Sequence, residues 1–478
     1  MHRLNPTRAA RWALFAMSVG VFCIQLDAFA LNLALPRIGQ DLHAGEGDLQ
    51  WAVSAYLLAT GSLMLGAGRL GDLFGRRRLL VVGLLVFGAA SLACAVATSL
   101  PMLVTARVVQ GAGAALVMPV GLALLTNTYP AGLRGRATGW ALGVGGIATA
   151  SGPFAGGMLT DAVSWRAVFW LNVPLAALGA VCASRAPESR DTSGPRTVDR
   201  AGLLTGTAAP AALALLVDRG RRWGWLTDRT AVLLVLVVLL LVWFVRCERR
   251  AAAPLVGLRL FRNGPYVALT LAGAVANTAT VMFLFVVPLS LQGPWHLSVA
   301  AAGIAFLAPA AAMAVAGPLA GRVAPRGATA VMAACLGIGA AVLAGLVWAP
   351  RLAVYLAVAT VGGAVLGMGN ALTLVATQGV IRPERAGEAS GVTKTVITVA
   401  AGLGVGLTGS VADPDGGAGA ESATHTALLA MAGGCLAACL ALLLWLWGPD
   451  RSHRRSYPAA ARTGDASPEH HPRRRTTR

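Results

Sequence analysis

The sequence specifies an all-α membrane protein with about fourteen transmembrane helices. Windows of about 19 residues mark about fourteen apolar segments along the 478 residues. Hydrophobic residues make up 56% and charged residues only 12%, against roughly 25% charged in a soluble domain. The loops between the segments alternate in sign, as they do when a chain crosses a bilayer repeatedly.

The first six segments run near 12–35, 49–68, 79–98, 101–123, 137–159 and 166–184. Residues 8–30 carry Arg8 and Arg11 and an A-x-A string at 28–30, like a signal peptide. The apolar run continues past that site to about Leu35 and many spans follow, so a first membrane helix is expected instead. Two segments, near 201–218 and 230–246, follow a polar stretch. A basic break leads to the last six, near 264–290, 299–320, 328–348, 352–375, 388–411 and 425–447. The domain reading is a cytoplasmic N-terminus (1–11), six helices (12–184), a linker region with two extra helices (185–263), six more helices (264–447) and a disordered basic tail (448–478).

Orientation follows from the Arg residues. Arg3, Arg8 and Arg11, Arg76 to Arg78, Arg134 and Arg136, Arg322 and Arg326, Arg382 and Arg385, and the tail all fall on one side. Asp41, Asp48, Asp161, Asp413 and Asp415 fall on the other. An even span count with both termini cytoplasmic is expected. The loop 218–229 departs from this, with Arg219, Arg221, Arg222 and Arg229 on the acidic side. The formal charge of +19 is accounted for by such loops and the tail meeting anionic lipid, so nucleic acid is not an expected partner. A scarcity of Lys beside abundant Arg, Ala and Gly suggests a GC-rich, bacterial genome. The expected location is therefore a bacterial inner or plasma membrane.

The loop at 68–79, Gly-Arg-Leu-Gly-Asp-Leu-Phe-Gly-Arg-Arg-Arg-Leu, has ordered glycines that permit a tight turn. Asp72 at the membrane edge needs a partner, either Arg76 or the positive N-terminus of another helix. Gly68, Gly71, Asp72, Gly75, Arg76 and Arg77 are the gating candidates. A weaker copy at 317–326 has Gly321 in place of the acid, and repeated halves mark transporters.

Asp27 lies within the first apolar run, where an ionisable group is expensive and usually lines a cavity. The alternative is an acid that merely bonds between helices. Arg107, in the fourth run, must also face inward and find an acceptor. In the fifth, Gly152, Pro153, Gly156 and Gly157 combine a helix bend with small-residue packing. Gln25, Asn32, Gln110, Asn277, Gln292, Asn370 and Gln378 are candidates for a substrate path, or else for interhelical hydrogen bonds. Glu388 and Lys394 sit near the start of the thirteenth segment, where Lys394 is expected to snorkel toward water.

The run at 68–79 resembles the signature between the second and third helices of the major facilitator superfamily, with its Gly, Asp and Arg positions filled. The six-two-six arrangement resembles the fourteen-helix drug:proton antiporter branch. The first-helix pattern L-D-x(4)-N-x-A-L-P and the Arg107 segment are similar to that branch's motifs. Residues 151–157 resemble the antiporter motif of drug exporters, although Ala148 replaces one family glycine. The resemblance implies two six-helix bundles plus two extra helices, rocking about a central cavity. It also implies proton coupling through Asp27 and Arg107, and export of small amphipathic organic compounds. A same-fold importer or uniporter is the alternative, and the Gly-Pro motif argues against it.

An enzyme is not expected, because the dispersed His, Cys and carboxylates form no active-site pattern. No metal is assigned. The GxGxxG at 404–409 follows no strand and reads as helix packing, and no Gly-Lys-Ser/Thr exists for nucleotide. No cofactor is expected beyond a proton gradient. The expected partners are a small-molecule substrate, protons and the bilayer, and the expected working unit is a monomer.

Overall fold

The computed structural model describes residues 8–190, 199–251, 254, 256–293, 295–381, 386–408 and 418–447. The expected tail (448–478), Arg382, Arg385, Asp413 and Asp415 lie outside the described residues. Among the described residues there are fourteen main helices. The first six are α1 (Arg8–Leu42), α2 (Trp51–Phe74), α3 (Arg76–Ala95), α4 (Leu100–Thr128), α5 (Ala131–Ala162) and α6 (Arg166–Ser184). The extra pair is α7 (Arg200–Trp223) and α8 (Asp228–Arg250). The rest are α9 (Gly264–Gln292), α10 (Val299–Ala305 then Leu307–Ala320), α11 (Pro325–Val347), α12 (Leu352–Gly379), α13 (Ala386–Thr408) and α14 (Ala418–Trp447).

Each expected segment falls in one of these helices to within a few residues. Over the described residues, ten helices are long and apolar enough to cross a bilayer, or eleven when α2 is counted as one span bent by 52°. Among their described residues, α7 and α13 contribute the apolar stretches Ala201–Val217 and Ala389–Val405. Helix α5 is diluted by glycine and opens with Arg134 and Arg136.

The first six helices pack as one bundle, with α4 between α2 and α3, and α1 against α4, α5 and α6. In the second bundle α9 lies against α12, α13 and α14, and α11 against α12 and α14. Helix α7 packs on α8 and also touches both α2 and α13. Helix α8 exposes Leu234, Val238, Leu241 and Trp243. An apolar helix with so little burial suits contact with acyl chains.

The bundles meet through α2 with α13 and α5 with α10. The close approaches lie toward the end that carries Asp41 and Asp161. There, Asp161 Oδ2 accepts from the Ala300 amide at 2.9 Å. A Cβ on Gly303 would meet Phe154 at 3.0 Å, one on Gly61 would meet Val399 at 2.8 Å, and one on Gly402 would meet Leu58 at 3.1 Å. Toward the Arg-rich end the helices stand apart. A Cβ on Gly139, Gly143, Gly146, Gly317 or Gly391 would find nothing within 4 Å, and Trp140 and Ile147 are exposed. The structure is therefore closed at the acidic end and open at the basic end.

The motif in α5 shows why small residues are needed. Pro153 sits inside the helix, removing one backbone hydrogen bond. A Cβ on Gly156 would fall 2.0 Å from the Ala30 carbonyl oxygen, and one on Gly152 would lie 3.0 Å from Phe29. Gly157 is buried beside them. Other sequence features have equally local explanations. Gly404 of the GxGxxG string packs on Thr278 of α9, with 2.3 Å left for a Cβ. All seven cysteines are free. In the anomalous 218–229 loop, Arg219 and Arg229 stack over Trp223 at 5.8 and 5.9 Å, which accounts for two of its arginines.

Gly156→Ala is expected to disrupt the α1–α5 contact and remove the monodisperse peak in detergent size-exclusion chromatography. Gly139→Ala, added to open space, is expected to leave that profile unchanged.

Candidate functional site

Asp27 and Arg107 meet. Both are fully buried, and Arg107 Nη1 donates to Asp27 Oδ2 in a short ion pair. Two close approaches make this possible. A Cβ on Gly111 would sit 2.6 Å from the Tyr56 carbonyl oxygen, and one on Gly113 would lie 2.7 Å from the Phe87 nitrogen. Glycine at those positions lets α4 lie directly on the backbones of α2 and α3.

The rest of the shell is neutral. Asp27 Oδ1 accepts from Gln110 Nε2 at 3.0 Å and from Asn172 Nδ2 at 2.8 Å. Arg107 Nε donates to the Ala52 carbonyl at 2.7 Å, and Nη1 also donates to Gln110 Oε1 at 2.7 Å. The guanidinium lies 4.2 Å from the Tyr56 ring centroid, a stacking geometry that attracts the cation. Gln110 Nε2 further donates to Ser91 Oγ at 2.8 Å. Five helices, α1, α2, α3, α4 and α6, thus converge on one carboxylate and one guanidinium. Arg107 Nη2 is the one guanidinium nitrogen left without an acceptor.

Sequence reasoning found the two charges and missed Asn172, Ser91 and Tyr56. Asn172 stands in the string Phe169-Trp170-Leu171-Asn172 near the start of α6, and the neutral residues give no other signal. Gln110, expected along the substrate path, is fully buried inside the ion-pair network, because its amide is held between Asp27 and Ser91. The other path candidates scatter. Gln25 donates to Thr149 at 2.9 Å, joining α1 to α5. Asn277 donates to the Ile397 carbonyl at 2.8 Å, joining α9 to α13. Gln292 donates to the Pro288 carbonyl of its own helix at 3.5 Å. Gln378 is exposed and donates to Ser390 at 2.8 Å, and Asn370 is half-buried on α12. The side chain of Asn32 lies outside the described residues.

Of the two partners open to Asp72, the structure selects Arg76, whose Nη2 and Nε donate to Oδ1 at 2.7 and 3.0 Å. Gly75 turns between α2 and α3 with φ of 104°. Arg76 Nη1 reaches Ser189 at 2.8 Å, the Arg77 amide reaches Glu188 at 3.0 Å, and the Arg77 side chain faces Glu188 at 3.6 Å. A Cβ on Gly71 would meet Val120 at 2.9 Å, whereas Gly68 faces open space beyond Pro119 at 4.0 Å. The whole motif is tied within the first bundle, which fits the separation at that end. At the opposite end Asp41 takes an ion pair from Arg166 and a hydrogen bond from Trp165 at 3.0 Å. The Arg166 hydrogen bond, then that from Trp165, hold the Asp41 carboxyl below its ordinary value. That clamp is complete at neutral pH and is lost as pH falls through the lowered value.

Two helical bundles that meet at one end, the first holding a membrane-buried ion pair, define a polytopic α-helical transporter. The chain belongs to the Major Facilitator Superfamily, whose family model matches residues 17–260 and 269–476. It is 33% identical over 416 residues to the multidrug resistance protein Stp of Mycobacterium tuberculosis, covering 83% of this chain and 75% of the relative. The tetracenomycin C resistance and export protein of Streptomyces glaucescens is also 33% identical, with 84% and 76% covered. The puromycin resistance protein pur8 of Streptomyces alboniger is 32% identical, with 85% and 82% covered. Among solved structures, the human organic anion transporter MFSD10 shares the fold, with a TM-score of 0.64, 16% identity, and 91% of this chain and 100% of that one covered.

Removing one partner of a buried pair strands the other charge, at a cost of about 3–5 kcal/mol. Asp27→Leu and Arg107→Met are each expected to lower the unfolding temperature in detergent. The double variant is expected to recover part of the loss, and additive losses would deny the coupling.

Proposed function

We propose that the chain exports small amphipathic organic compounds, drugs or antibiotics among them, from the bacterial cytoplasm in exchange for protons. The observation that carries this reading is the Asp27–Arg107 pair, fully buried where five helices of the first bundle meet. Relatives named for multidrug resistance and for tetracenomycin C export support the cargo class. The Gly-Pro segment of α5, packed on both α1 and α10, supports exchange rather than leak.

Asp27 is the proton site in this reading. While ionised it balances Arg107, whose other acceptors, the Ala52 carbonyl and the Gln110 amide, are neutral. A proton on Asp27 cancels the only negative charge in the cluster. The guanidinium is then an uncompensated cation in a low-dielectric interior, a state costly enough to drive rearrangement. Because α1, α4 and α6 carry the partners, that rearrangement changes how the first bundle packs. The bundles then exchange closure at the acidic end for closure at the basic end, and access alternates. With both termini cytoplasmic, the present opening faces the cytoplasm, the loading side of an exporter. Asp72 and Arg76 hold the loop that forms this inner gate. The substrate, protons and bilayer are the partners required, and a monomer suffices.

Everted membrane vesicles with an imposed pH gradient, acid inside, test this. Uptake of one or both of fluorescein and ethidium, offered separately as anionic and cationic probes, is expected and should collapse when a protonophore is added. Asp27→Asn is expected to lower the gradient-driven rate at least about 10-fold while leaving binding of the transported probe intact, the pattern of a residue needed for coupling rather than ground-state binding. Unchanged proton-driven uptake in Asp27→Asn would remove the residue from this role.

A further inference from the structure

Lys394 is the only lysine among 39 basic residues. It stands on α13 eight residues after Ala386, roughly 12 Å along the axis, and is half-buried. Among the described residues no carboxylate pairs with it and no acceptor takes a hydrogen bond from it. An unpaired ammonium at that depth calls for a partner from outside the protein.

The neighbours of α13 fix the direction of position 394. With about 100° per residue, three sides of the helix are occupied. Val392 and Val396 pack toward Val256 and Phe244, beside the extra helices. Thr393 and Gly404 touch α9 at Thr270 and Thr278. Val399 and Gly402 touch α2 at Gly61 and Leu58. Lys394 occupies the fourth side, together with Ser390, which accepts a hydrogen bond from Gln378 of α12. One turn toward the basic end, a Cβ on Gly391 would find nothing within 4 Å. The fourth side is therefore the space between the bundles, on the part of the path that is open in this structure.

The paired acids of the first bundle do not serve Lys394. Asp27 and Arg107 are committed to each other in the opposite bundle, fully buried. Asp72 is committed to Arg76. When the bundles close over a neutral cargo, the ammonium is left desolvated and uncompensated. When they close over a cargo with an acidic group, the two charges satisfy each other. This difference is a selectivity device, since an unpaired buried charge is penalised far more than a paired one.

We propose that Lys394 is the docking cation for an acidic group on the cargo, and that the cargo class is amphipathic organic anions bearing a carboxylate, enolate or phenolate. This rests on reading the space between the bundles as the transport path. Lys394 is here a binding residue, and no proton is assigned to it.

The test is equilibrium binding by the full chain in lipid nanodiscs, with no gradient present. Fluorescein supplies the anionic probe and rhodamine 6G a cationic one on a similar three-ring frame, both read by fluorescence anisotropy. Lys394→Met is expected to weaken fluorescein binding by roughly 10-fold or more, as loss of a desolvated charge partner does. It should leave rhodamine 6G binding within about 3-fold, while Lys394→Arg should retain fluorescein binding. Lys394→Gln gives the same comparison should the Met variant fail to fold. Equal losses for both dyes, unchanged fluorescein affinity in Lys394→Met, or a wild type that does not bind fluorescein would each overturn the proposal. Because the readout needs no gradient, a protein that passes this test yet shows no proton-driven uptake loses only the coupling reading.

Discussion

A carboxylate and a guanidinium removed from water must find each other or not be there. That constraint sets the arrangement of the first bundle. Asp27 and Arg107 are 80 positions apart in the chain, and their meeting requires α4 to lie within backbone contact of α2 and α3. Glycines at 111 and 113 permit the approach, and the amides of Gln110 and Asn172 saturate the remaining carboxylate oxygen. The network is uneven by construction, with one negative charge facing one positive charge and every other partner neutral. Such a balance is intact only while the acid stays ionised, so a single proton can unsettle it.

The same logic applies at the two ends with less at stake. Asp72–Arg76 and Asp41–Arg166 are partly exposed pairs, and exposed pairs contribute little stability on their own. Their placement matters more than their strength. Arg76 and Arg77 bind the chain just after α6, so the loop between α2 and α3 is held by its own bundle. Across the gap, the related stretch near Gly317 has no acid to answer with. Asp161, in contrast, reaches over to α10 and ties the bundles where they are already in contact.

Much of this was legible before any coordinates. Charges within apolar runs are rare enough that Asp27 and Arg107 stood out individually, and the glycine order at 68–75 announced a tight turn. The boundaries of fourteen helices followed from apolarity alone. What could not be read is rotation about each helix axis. Gln110 and Asn277 look alike in sequence, as amides in apolar runs, yet one joins the ion-pair network and the other bonds the backbone of α13. Ser91, Tyr56 and Asn172 escaped because a neutral polar residue in a membrane helix is ordinary. Lys394 was expected to reach for water along its own helix, and its side of α13 became visible only once the other three sides were occupied.

Helix α7 touches both α2 and α13, and Leu203 fills the notch at Gly66, where a Cβ would come within 2.0 Å. A strut fastened to two bodies cannot follow both when they separate. A swing of the bundles would oblige the α7–α8 hairpin to slide along one of them or release it. The seam between α5 and α10 carries no such strut. The pivot is thus lopsided: one flank is splinted, and the other is free to gape toward the surrounding lipid.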